Sequence, residues 1–427
     1  RQRVAEKRAA GIVVGLLDAD GRTRIVAFGD PGPGKPPLDG NSVFEIGSIT
    51  KVFTATVLAE LVQERKVRLD DPAQLYLPAT VHLPSRNRKA ITLGNLSSQN
   101  SGLPRMPDNF HPKDQSNPYA DYSVEQLYAF LSSYQLTRDP GERFEYSNLG
   151  VGLLGHILAL RVGTSYEAMV RDRIWNPLGM THTAIALTPY MKEHLALGHD
   201  PDGKVVANWD LPTLAGAGAI RSTTTDMLKF AAANLHPERG PLQRAMATAQ
   251  EVRAPVAPPR VMIGLNWMIQ REGADTIVWH NGGTGGYRTF LGLEPSRRIA
   301  VVIMTNSFGA GSDDIGMHLL DPAIPLAPMP APARTHVAIE LPASELAMFG
   351  GRYQLAPGFV LEVRLQNGLL YAQATGQDAF RIWPEAPREF FYKDVDAQVT
   401  FVADSAGKIT GLVLHQNGAN VPASKIQ

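Results

Sequence analysis

Ser48 and Lys51 are three residues apart at the start of a run, Val52 to Glu64, whose composition is strongly helical. This spacing places both side chains on one helix face, at the positive end of the helix dipole. An amine within reach of a serine hydroxyl is the geometry of an activated nucleophile. On spacing alone, an N-capping serine with a solvated lysine is the commoner explanation, because serine is a preferred N-cap.

A second candidate group is Tyr146-Ser147-Asn148. A phenol beside a lysine ammonium is easier to ionise, so we expect Tyr146 to exchange a proton with Ser48 and with a leaving group. Asn148 offers an amide donor and an acceptor, which suits it to orienting Lys51 and a substrate carbonyl. The alternative is a structural tyrosine followed by a helix N-cap at Ser147 or Asn148.

A third group is the glycine-rich segment from His280 to Gly286, which follows the predicted strand Ile277 to Trp279. Glycines after a strand let a substrate approach the backbone closely. A backbone N–H there, together with that of Ser48, predicts a two-donor oxyanion hole. A plain glycine-rich turn is the alternative. A phosphate loop is excluded because no Gly-Lys-Ser/Thr follows, and a dinucleotide fingerprint is excluded because the next segment is a predicted strand.

In this order the three groups resemble the serine β-lactamase and penicillin-binding-protein superfamily, over roughly residues 10 to 320. The resemblance is strongest to the branch of class C β-lactamases, D,D-peptidases, D-aminopeptidases and related carboxylesterases. Supporting segments are Phe44-Glu45-Ile46-Gly47-Ser48, Leu69-Asp70-Asp71-Pro72, Asn100-Ser101-Gly102-Leu103-Pro104, Asn176-Pro177-Leu178-Gly179-Met180, Gly218-Ala219-Ile220-Arg221-Ser222-Thr223 and Asp226-Met227.

The resemblance implies acyl transfer without a cofactor or metal. Ser48 would be the nucleophile and Lys51 and Tyr146 would share the proton transfers, and the sequence leaves open which of the two is the base. Asn148 would orient Lys51 and the substrate, and His280 would line the opposite wall and assist deacylation. The remaining expected site residues are Ser48 and Gly283 for the oxyanion hole, through their backbone, and Asn281 and Gly282 for substrate binding.

The chain departs from the family pattern at two places. The strand motif that is usually Lys-Thr-Gly is His280-Asn281-Gly282 here, and Gln99 stands where a histidine is frequent. Loss of the lysine removes a fixed charge for a substrate carboxylate. A neutral or half-charged histidine favours esters, amides or endopeptidase substrates instead.

Composition excludes several classes of protein. The 427 residues carry 41 basic and 41 acidic side chains with no long run of either sign, so a nucleic-acid partner is not indicated. The chain has no cysteine, and no apolar run approaches the ~20 residues that span a bilayer. We expect a periplasmic or secreted protein whose signal peptide has been removed, although the sequence does not exclude the cytoplasm. It leaves the oligomeric state undetermined.

The expected fold is α/β of the α+β type, with two domains joined by a linker. Strands Gly11 to Leu17 and Thr23 to Phe28 form a hairpin that pairs with three strands near the end of residues 1–320. A helical block is inserted in the sequence between the hairpin and those three strands. Residues 1–320 form this β-lactamase-like domain, and the segment 104–123 is a long loop that either walls the site or is a surface insertion. A proline-rich linker follows at residues 321–338. Residues 339–427 resemble a small lipocalin-like β domain, with a hairpin around Asn367-Gly368.

The predicted function is a serine hydrolase of ester or amide carbonyls, either carboxylesterase-type or peptidoglycan-related, with weak β-lactam turnover. The alternatives are a D,D-peptidase or β-lactamase proper, and a penicillin-binding sensor that acylates without turnover. The expected partner is a small-molecule or cell-envelope substrate.

Overall fold

A computed structural model describes residues 1–272, 275–327, 336–356, 359–375, 379–392, 397–416 and 419–426. The chain divides into two compact units, Arg1–Ala327 and Pro328–Gln427. In the predicted linker, residues 321–327 belong to the first unit, and Pro328, Pro330 and Pro332 lie outside the described residues. The domain limits at 320 and 338 therefore stay a prediction.

The first unit contains twelve strands among its described residues: β1 Gly11–Leu17, β2 Thr23–Gly29, β3 Val43–Glu45, β4 Ser85–Arg86, β5 Lys89–Ala90, β6 Arg221–Thr223, β7 Ala254–Ala257, β8 Val261–Ile263, β9 Met268–Glu272, β10 Asp275–Gly283, β11 Arg288–Glu294 and β12 Ile299–Thr305.

Twelve α-helices are described in the same unit: α1 Gln2–Ala5, α2 Thr50–Gln63, α3 Leu93–Ser97, α4 Val124–Ser133, α5 Asn148–Val162, α6 Tyr166–Val170, α7 Asn176–Leu178, α8 Pro189–Glu193, α9 Ala215–Gly218, α10 Thr224–Asn234, α11 Pro241–Ala249 and α12 Asp313–Leu320. Short 3₁₀ turns cover Gly47–Ile49, Ala73–Tyr76 and Pro237–Arg239, and a π turn covers Arg171–Trp175.

The main sheet is antiparallel and combines both ends of the unit, as the sequence predicted. Its strand order is β2-β1-β12-β11-β10-β9-β8-β7. The N-terminal hairpin reaches the C-terminal strands through the β1–β12 pair, in which Gly15 lies opposite Val302. Strands β7, β8 and β9 were not predicted, because they are short and lack a clear alternating pattern.

Helices cover both faces of this sheet. α10 packs on β1 and β12, and α2 packs in turn against α5, α9 and α11. On the other face α12 packs on β11 and β12, where Phe290, Ile303 and Leu320 form a separate apolar cluster. Nearly every residue of α2 is buried, which is typical of a central helix that is apolar around most of its circumference.

The second unit is a small all-β domain with a closed eight-stranded barrel. Asn367 and Gly368 have φ values of 51° and 75° and join two of its strands, as the hairpin signal predicted. A short helix, α13 Ala343–Leu346, and a 3₁₀ turn, Ala347–Phe349, precede the barrel. Its strands are β13 Gly351–Ala356, β14 Phe359–Gln366, β15 Leu369–Ala374, β16 Ala379–Ala386, β17 Glu389–Tyr392, β18 Ala397–Ala403, β19 Ile409–Gln416 and β20 Ala419–Lys425.

No single helix of the described residues is long and apolar enough to cross a membrane. Helix α5 and the stretch Tyr166–Leu178 are long and apolar enough only when taken together, and they are bent by 78° relative to each other. Most residues of α5 are buried within the unit.

Candidate active site

Ser48 lies in the 3₁₀ turn that leads into α2, with its hydroxyl directed at Lys51. The Lys51 Nζ atom is 2.9 Å from Ser48 Oγ. Neither the turn nor α2 has a side-chain cap, so the structure gives no support to an N-capping role for Ser48. Ser48 is half-buried and Lys51 is fully buried. The hydroxyl is therefore open on one side and contacts an enclosed amine on the other.

The Lys51 amine has three oxygen partners and no carboxylate among the contacts described. It donates to Asn148 Oδ1 at 2.9 Å and to the Ala217 carbonyl at 2.6 Å, and it contacts Ser48 Oγ. Burial, and then the nearby Arg105 guanidinium, hold the pKa of Lys51 well below its ordinary value of 10.5. A neutral amine has two N–H donors, which match the two carbonyl-type acceptors, and one lone pair, which is left for the Ser48 hydroxyl.

Tyr146 and Asn148 are held by the N-terminus of α5. Ser147 is the N-cap of this helix and accepts from the Gly150 amide at 2.8 Å, so the capping role considered for Ser147 is present beside the candidate site residues. Asn148 begins the helix and contacts Lys51. Tyr146 precedes the cap and shares a hydrogen bond with the Ser48 side chain. The segment thus brings one side chain to Lys51 and another to Ser48.

The ionisation of Tyr146 differs from the sequence expectation. Burial raises its pKa to about 12, and this effect exceeds the opposing effects of the Ser48 hydrogen bond and of Arg105. The expectation that a lysine ammonium would ease its ionisation was wrong, because the buried amine itself loses charge. The Lys51 Nζ atom lies 4.9 Å from the centre of the Tyr146 ring. Tyr146 is therefore a protonated phenol near neutral pH.

Gln99, for which the sequence gave no role, fixes the Tyr146 segment. Its backbone carbonyl accepts from the Glu145 amide and its side-chain oxygen accepts from the Ser147 amide, both at 2.7 Å. Its side-chain nitrogen donates to Asn266 Oδ1 at 3.0 Å. Gln99 therefore bonds to the backbone on both sides of Tyr146.

The segment that follows Trp279 is strand rather than loop. β10 continues to Gly283, and Gly282 and Gly283 pair with Thr289 and Arg288 of β11. A Cβ atom on Gly282 would overlap the Ile46 carbonyl oxygen. Gly47, with a φ of +50°, is equally restricted, because a Cβ there would lie 2.6 Å from the Gly283 nitrogen. The glycines thus let the end of β10 contact the turn that carries Ser48.

His280 faces the site as a neutral imidazole. Its ring centre is 6.3 Å from that of Tyr146, and its Nδ1 atom is 2.6 Å from the Asn281 carbonyl oxygen. Burial, with a smaller contribution from Lys51, lowers its pKa to about 3. If Nδ1 carries the proton and donates to that carbonyl, Nε2 remains a hydrogen-bond acceptor.

The Asn281 side chain is not brought to the site. It donates to Asp313 of α12, on the opposite face of the sheet from His280. Side chains alternate along a strand, so adjacent residues cannot both face Ser48. The expectation that Asn281 takes part in substrate binding stays a prediction, and the side chain of Asn281 is engaged with Asp313. Gly282 and Gly283 remain beside the serine turn, as expected.

Three residues near the site were missed from the sequence. Tyr119, in the segment 104–123, accepts from Asn148 Nδ2 at 3.4 Å, and its ring centre is 5.5 Å from that of Trp209. Trp209 also lies against Gly285 and is held by a bond from its amide to Glu45 at 2.9 Å. Arg105 has its guanidinium 5.2 Å from the centre of the Tyr146 ring. The long, aromatic-bearing loop was the signal available for Tyr119; nothing in the sequence pointed to Trp209 or Arg105.

No cluster of three or more His, Cys, Asp or Glu side chains suited to a metal occurs within the described ranges. The described side chains at the site instead provide the Ser48 hydroxyl together with an amine, a phenol, an amide and an imidazole.

Comparison with known proteins places this arrangement in a family. The sequence profile described as "Beta-lactamase" matches residues 1–322. The chain belongs to the beta-lactamase family. A second profile, a domain of unknown function (DUF3471), matches residues 335–423.

Relatives within the family carry two kinds of name. A "Beta-lactamase" of Pseudomonas fluorescens is 28% identical over 70% of this chain and 88% of its own length. The "D-alanyl-D-alanine-carboxypeptidase/endopeptidase AmpH" of Escherichia coli K12 is 31% identical over 68% of this chain and 79% of its own length. A solved "Beta-lactamase/D-alanine Carboxypeptidase" from Yersinia pestis, complexed with citrate, is 26% identical, covers 76% of this chain and 96% of its own, and has a TM-score of 0.66. The protein is thus a hydrolase of the β-lactamase and D-Ala-D-Ala carboxypeptidase-like class.

Proposed function

We propose that the protein hydrolyses ester and amide carbonyls through an acyl-enzyme on Ser48. The observation that carries this proposal is the 2.9 Å contact between Ser48 Oγ and a Lys51 amine whose pKa is held low. Lowering the pKa of Lys51 increases the neutral fraction of the amine, and the neutral amine is a base able to take the serine proton as the carbonyl is attacked.

Lys51 and Tyr146 then have different parts in the proton transfers. Ser48 gives its proton to Lys51 as its oxygen bonds to the carbonyl carbon. Tyr146, a protonated phenol hydrogen-bonded to Ser48, gives its proton to the leaving oxygen or nitrogen and recovers one from the Lys51 ammonium. Water releases the acyl group by the reverse transfers, and the proton returns to Ser48.

The backbone N–H groups of Ser48 and Gly283 are proposed as the oxyanion hole. The turn of Ser48 and the end of β10 touch through Gly47 and Gly283, which supports this assignment. A donor of this kind contributes roughly 3–4 kcal/mol to stabilisation of the transition state. Asn148 keeps its proposed orienting role through its bond to Lys51.

His280 is proposed to orient Tyr146 or water by accepting a hydrogen bond. With a pKa of about 3 the imidazole is too weak a base to remove a proton from water efficiently. Being neutral, it also offers no charge to a substrate carboxylate at β10. This supports ester or peptidoglycan-type amide substrates, with weak β-lactam turnover. We also propose a periplasmic or extracellular location.

A substrate panel on one preparation tests the proposal. We expect a short acyl ester and a D-alanyl peptide to be hydrolysed faster than a chromogenic cephalosporin, and Ser48→Ala to lose all three activities. Ser133→Ala, an exposed serine of α4, is the matched control and should retain them. Fastest turnover of the cephalosporin would instead favour a β-lactamase proper, and acylation without turnover of any substrate would favour a sensor.

A further inference from the structure

The core of the barrel in the second unit is filled by aromatic side chains. The rings of four buried residues lie with neighbouring centres 4.6 to 5.6 Å apart: Phe349, Tyr353, Phe390 and Phe401. Packed rings of this kind leave no room for a ligand between them. A small molecule that binds this unit would therefore lie outside the aromatic cluster.

A cleft of about 600 Å³ opens at one end of the same barrel. It lies between the 3₁₀ turn Ala347–Phe349, the turn that joins β18 to β19, and the end of β20. Its volume falls within the range of roughly 300–1,000 Å³ that is typical of small-molecule sites. Two of its lining residues, Met348 and Ile426, are 53% and 46% exposed. The cleft therefore offers an alkyl chain apolar surface that the fold leaves in contact with water.

Two lysines line this cleft and lack a counter-ion. The Nζ atom of Lys425 is 5.5 Å from the centre of the Tyr353 ring, and burial, with a smaller contribution from Lys408, lowers the pKa of Lys425. Among the residues that the structure describes, no carboxylate forms an ion pair with either lysine. The acidic side chain of the turn, Asp404, accepts instead from the Ala406 and Lys408 amides at 3.0 and 2.9 Å. Two neighbouring ammonium groups that repel each other favour the binding of an anion between them.

We infer that this cleft binds a single-chain amphiphile with an anionic head group. The head group contacts Lys408 and Lys425, and the alkyl chain lies along Met348 and Ile426. A lysine binds a phosphate as a point charge, and every methylene removed from water adds to the affinity. A neutral amphiphile lacks the first interaction and an inorganic anion lacks the second. The residues concerned all belong to the second unit, so the inference is independent of the chemistry proposed at Ser48.

Isothermal titration calorimetry on the full-length chain tests this inference with decyl phosphate, decyl maltoside and inorganic phosphate, each below its micellar concentration. We expect decyl phosphate to bind about tenfold or more tightly than either of the others. Lys408→Gln and Lys425→Gln, which keep most of the side-chain stem, should each weaken decyl phosphate by about tenfold. Arg388→Gln removes an exposed charge from the turn between β16 and β17, outside the cleft, and should bind as the wild type does. A cooperative thermal transition verifies the fold of each variant.

Chain length provides a second measurement that does not depend on the lysines. Decyl phosphate should bind more tightly than hexyl phosphate, and Met348→Ser should reduce this difference. Equal affinity for decyl phosphate in the wild type and in both lysine variants would overturn the inference, because the amphiphile would then bind elsewhere.

Two further results would also contradict it. Equal affinities for inorganic phosphate and decyl phosphate would make the cleft a site for simple anions. Association with anionic phospholipid vesicles, without affinity for monomeric decyl phosphate, would make it a membrane contact instead.

Discussion

At the scale of single residues, the chemistry depends on the removal of charge from a lysine. Lys51 is fully buried and contacts oxygens but no carboxylate in the described structure. Burial without a counter-ion favours the neutral amine. Tyr146 is half-buried beside the same pair, and burial raises the pKa of its phenol, so its neutral form is favoured as well. Burial therefore favours the uncharged forms of both groups, from which the proposed proton transfer starts.

The first prediction concerns pH. Lys51 must be deprotonated to act as the base, so kcat/KM for a neutral ester should rise with pH and level off well below 10.5, the ordinary pKa of lysine. It should fall again only when Tyr146 ionises, near pH 12. A pH–rate profile on a neutral ester measures both limbs. A rate that is still rising at pH 10.5 would contradict the assignment of Lys51 as a base with a lowered pKa.

Removal of the neighbouring cation gives a second measurement of the same effect. Arg105 lowers the pKa of Lys51, so Arg105→Ala should move the acid limb of the neutral-ester profile to higher pH. Lys113→Ala serves as the control, and its acid limb should coincide with that of the wild type. An acid limb that does not move in Arg105→Ala would show that another group controls the profile.

At this scale the sequence predicted which side chains lie close together, but it did not predict how deeply they are buried. The three-residue spacing correctly brought Lys51 to Ser48. It could not show that the Lys51 amine is fully buried, or that burial of Tyr146 itself raises the pKa of the phenol and reverses the expected shift. The sequence ended the strand at Trp279, whereas β10 continues to Gly283, and alternation along this longer strand places the Asn281 side chain on the far face.

At the scale of elements, two segments from distant parts of the chain meet at the Ser48 turn. The end of β10 touches this turn because Gly47 and Gly282 have no Cβ atoms. The start of α5 reaches it from the other side, anchored by Gln99. Sequence patterns predicted α2, α5 and the three-strand group, but the close backbone contact between them depends on tertiary packing.

Gln99→Ala tests this anchoring. The substitution removes the partner that Gln99 provides to the buried Ser147 amide and to Asn266 Oδ1, which should lower the free energy of unfolding by about 1–3 kcal/mol. Because Tyr146 would lose its fixed position, kcat should fall more than KM changes. Gln99→His, which can still accept and donate, should restore part of kcat.

The control for that experiment is Gln250→Ala. The Gln250 amide donates to the Asn234 side chain at 3.0 Å and has no contact with the Tyr146 segment. It should lower stability without lowering kcat. Equal loss of kcat in both variants would show that Gln99 acts only through overall stability, and not through Tyr146.

At the scale of the whole molecule, the groups proposed for chemistry all lie in the first unit. Ser48, Lys51, Tyr146, Asn148 and His280 precede Ala327, and two different family profiles match the two units. The barrel was predictable because the alternating strands and the Asn367-Gly368 turn are local features. The linker was predicted from its prolines, whose central part lies outside the described residues.

Truncation after Ala327 tests whether the first unit is sufficient. We expect this chain to fold, with a cooperative thermal transition, and to retain activity on a short acyl ester. Full-length protein with the Ser48→Ala change provides the background rate. A folded truncation with no activity above that background would show that the second unit completes the active site.

The central claim is a covalent acyl-enzyme on Ser48, and intact-mass spectrometry tests it most directly. Wild-type protein treated with a fluorophosphonate, or with a penicillin and quenched rapidly, should gain the mass of one adduct, and peptide mapping should place it on Ser48. Ser48→Ala, with its fold verified by circular dichroism, should gain none. An adduct of equal yield on Ser48→Ala would contradict the account, because the nucleophile would then be another residue.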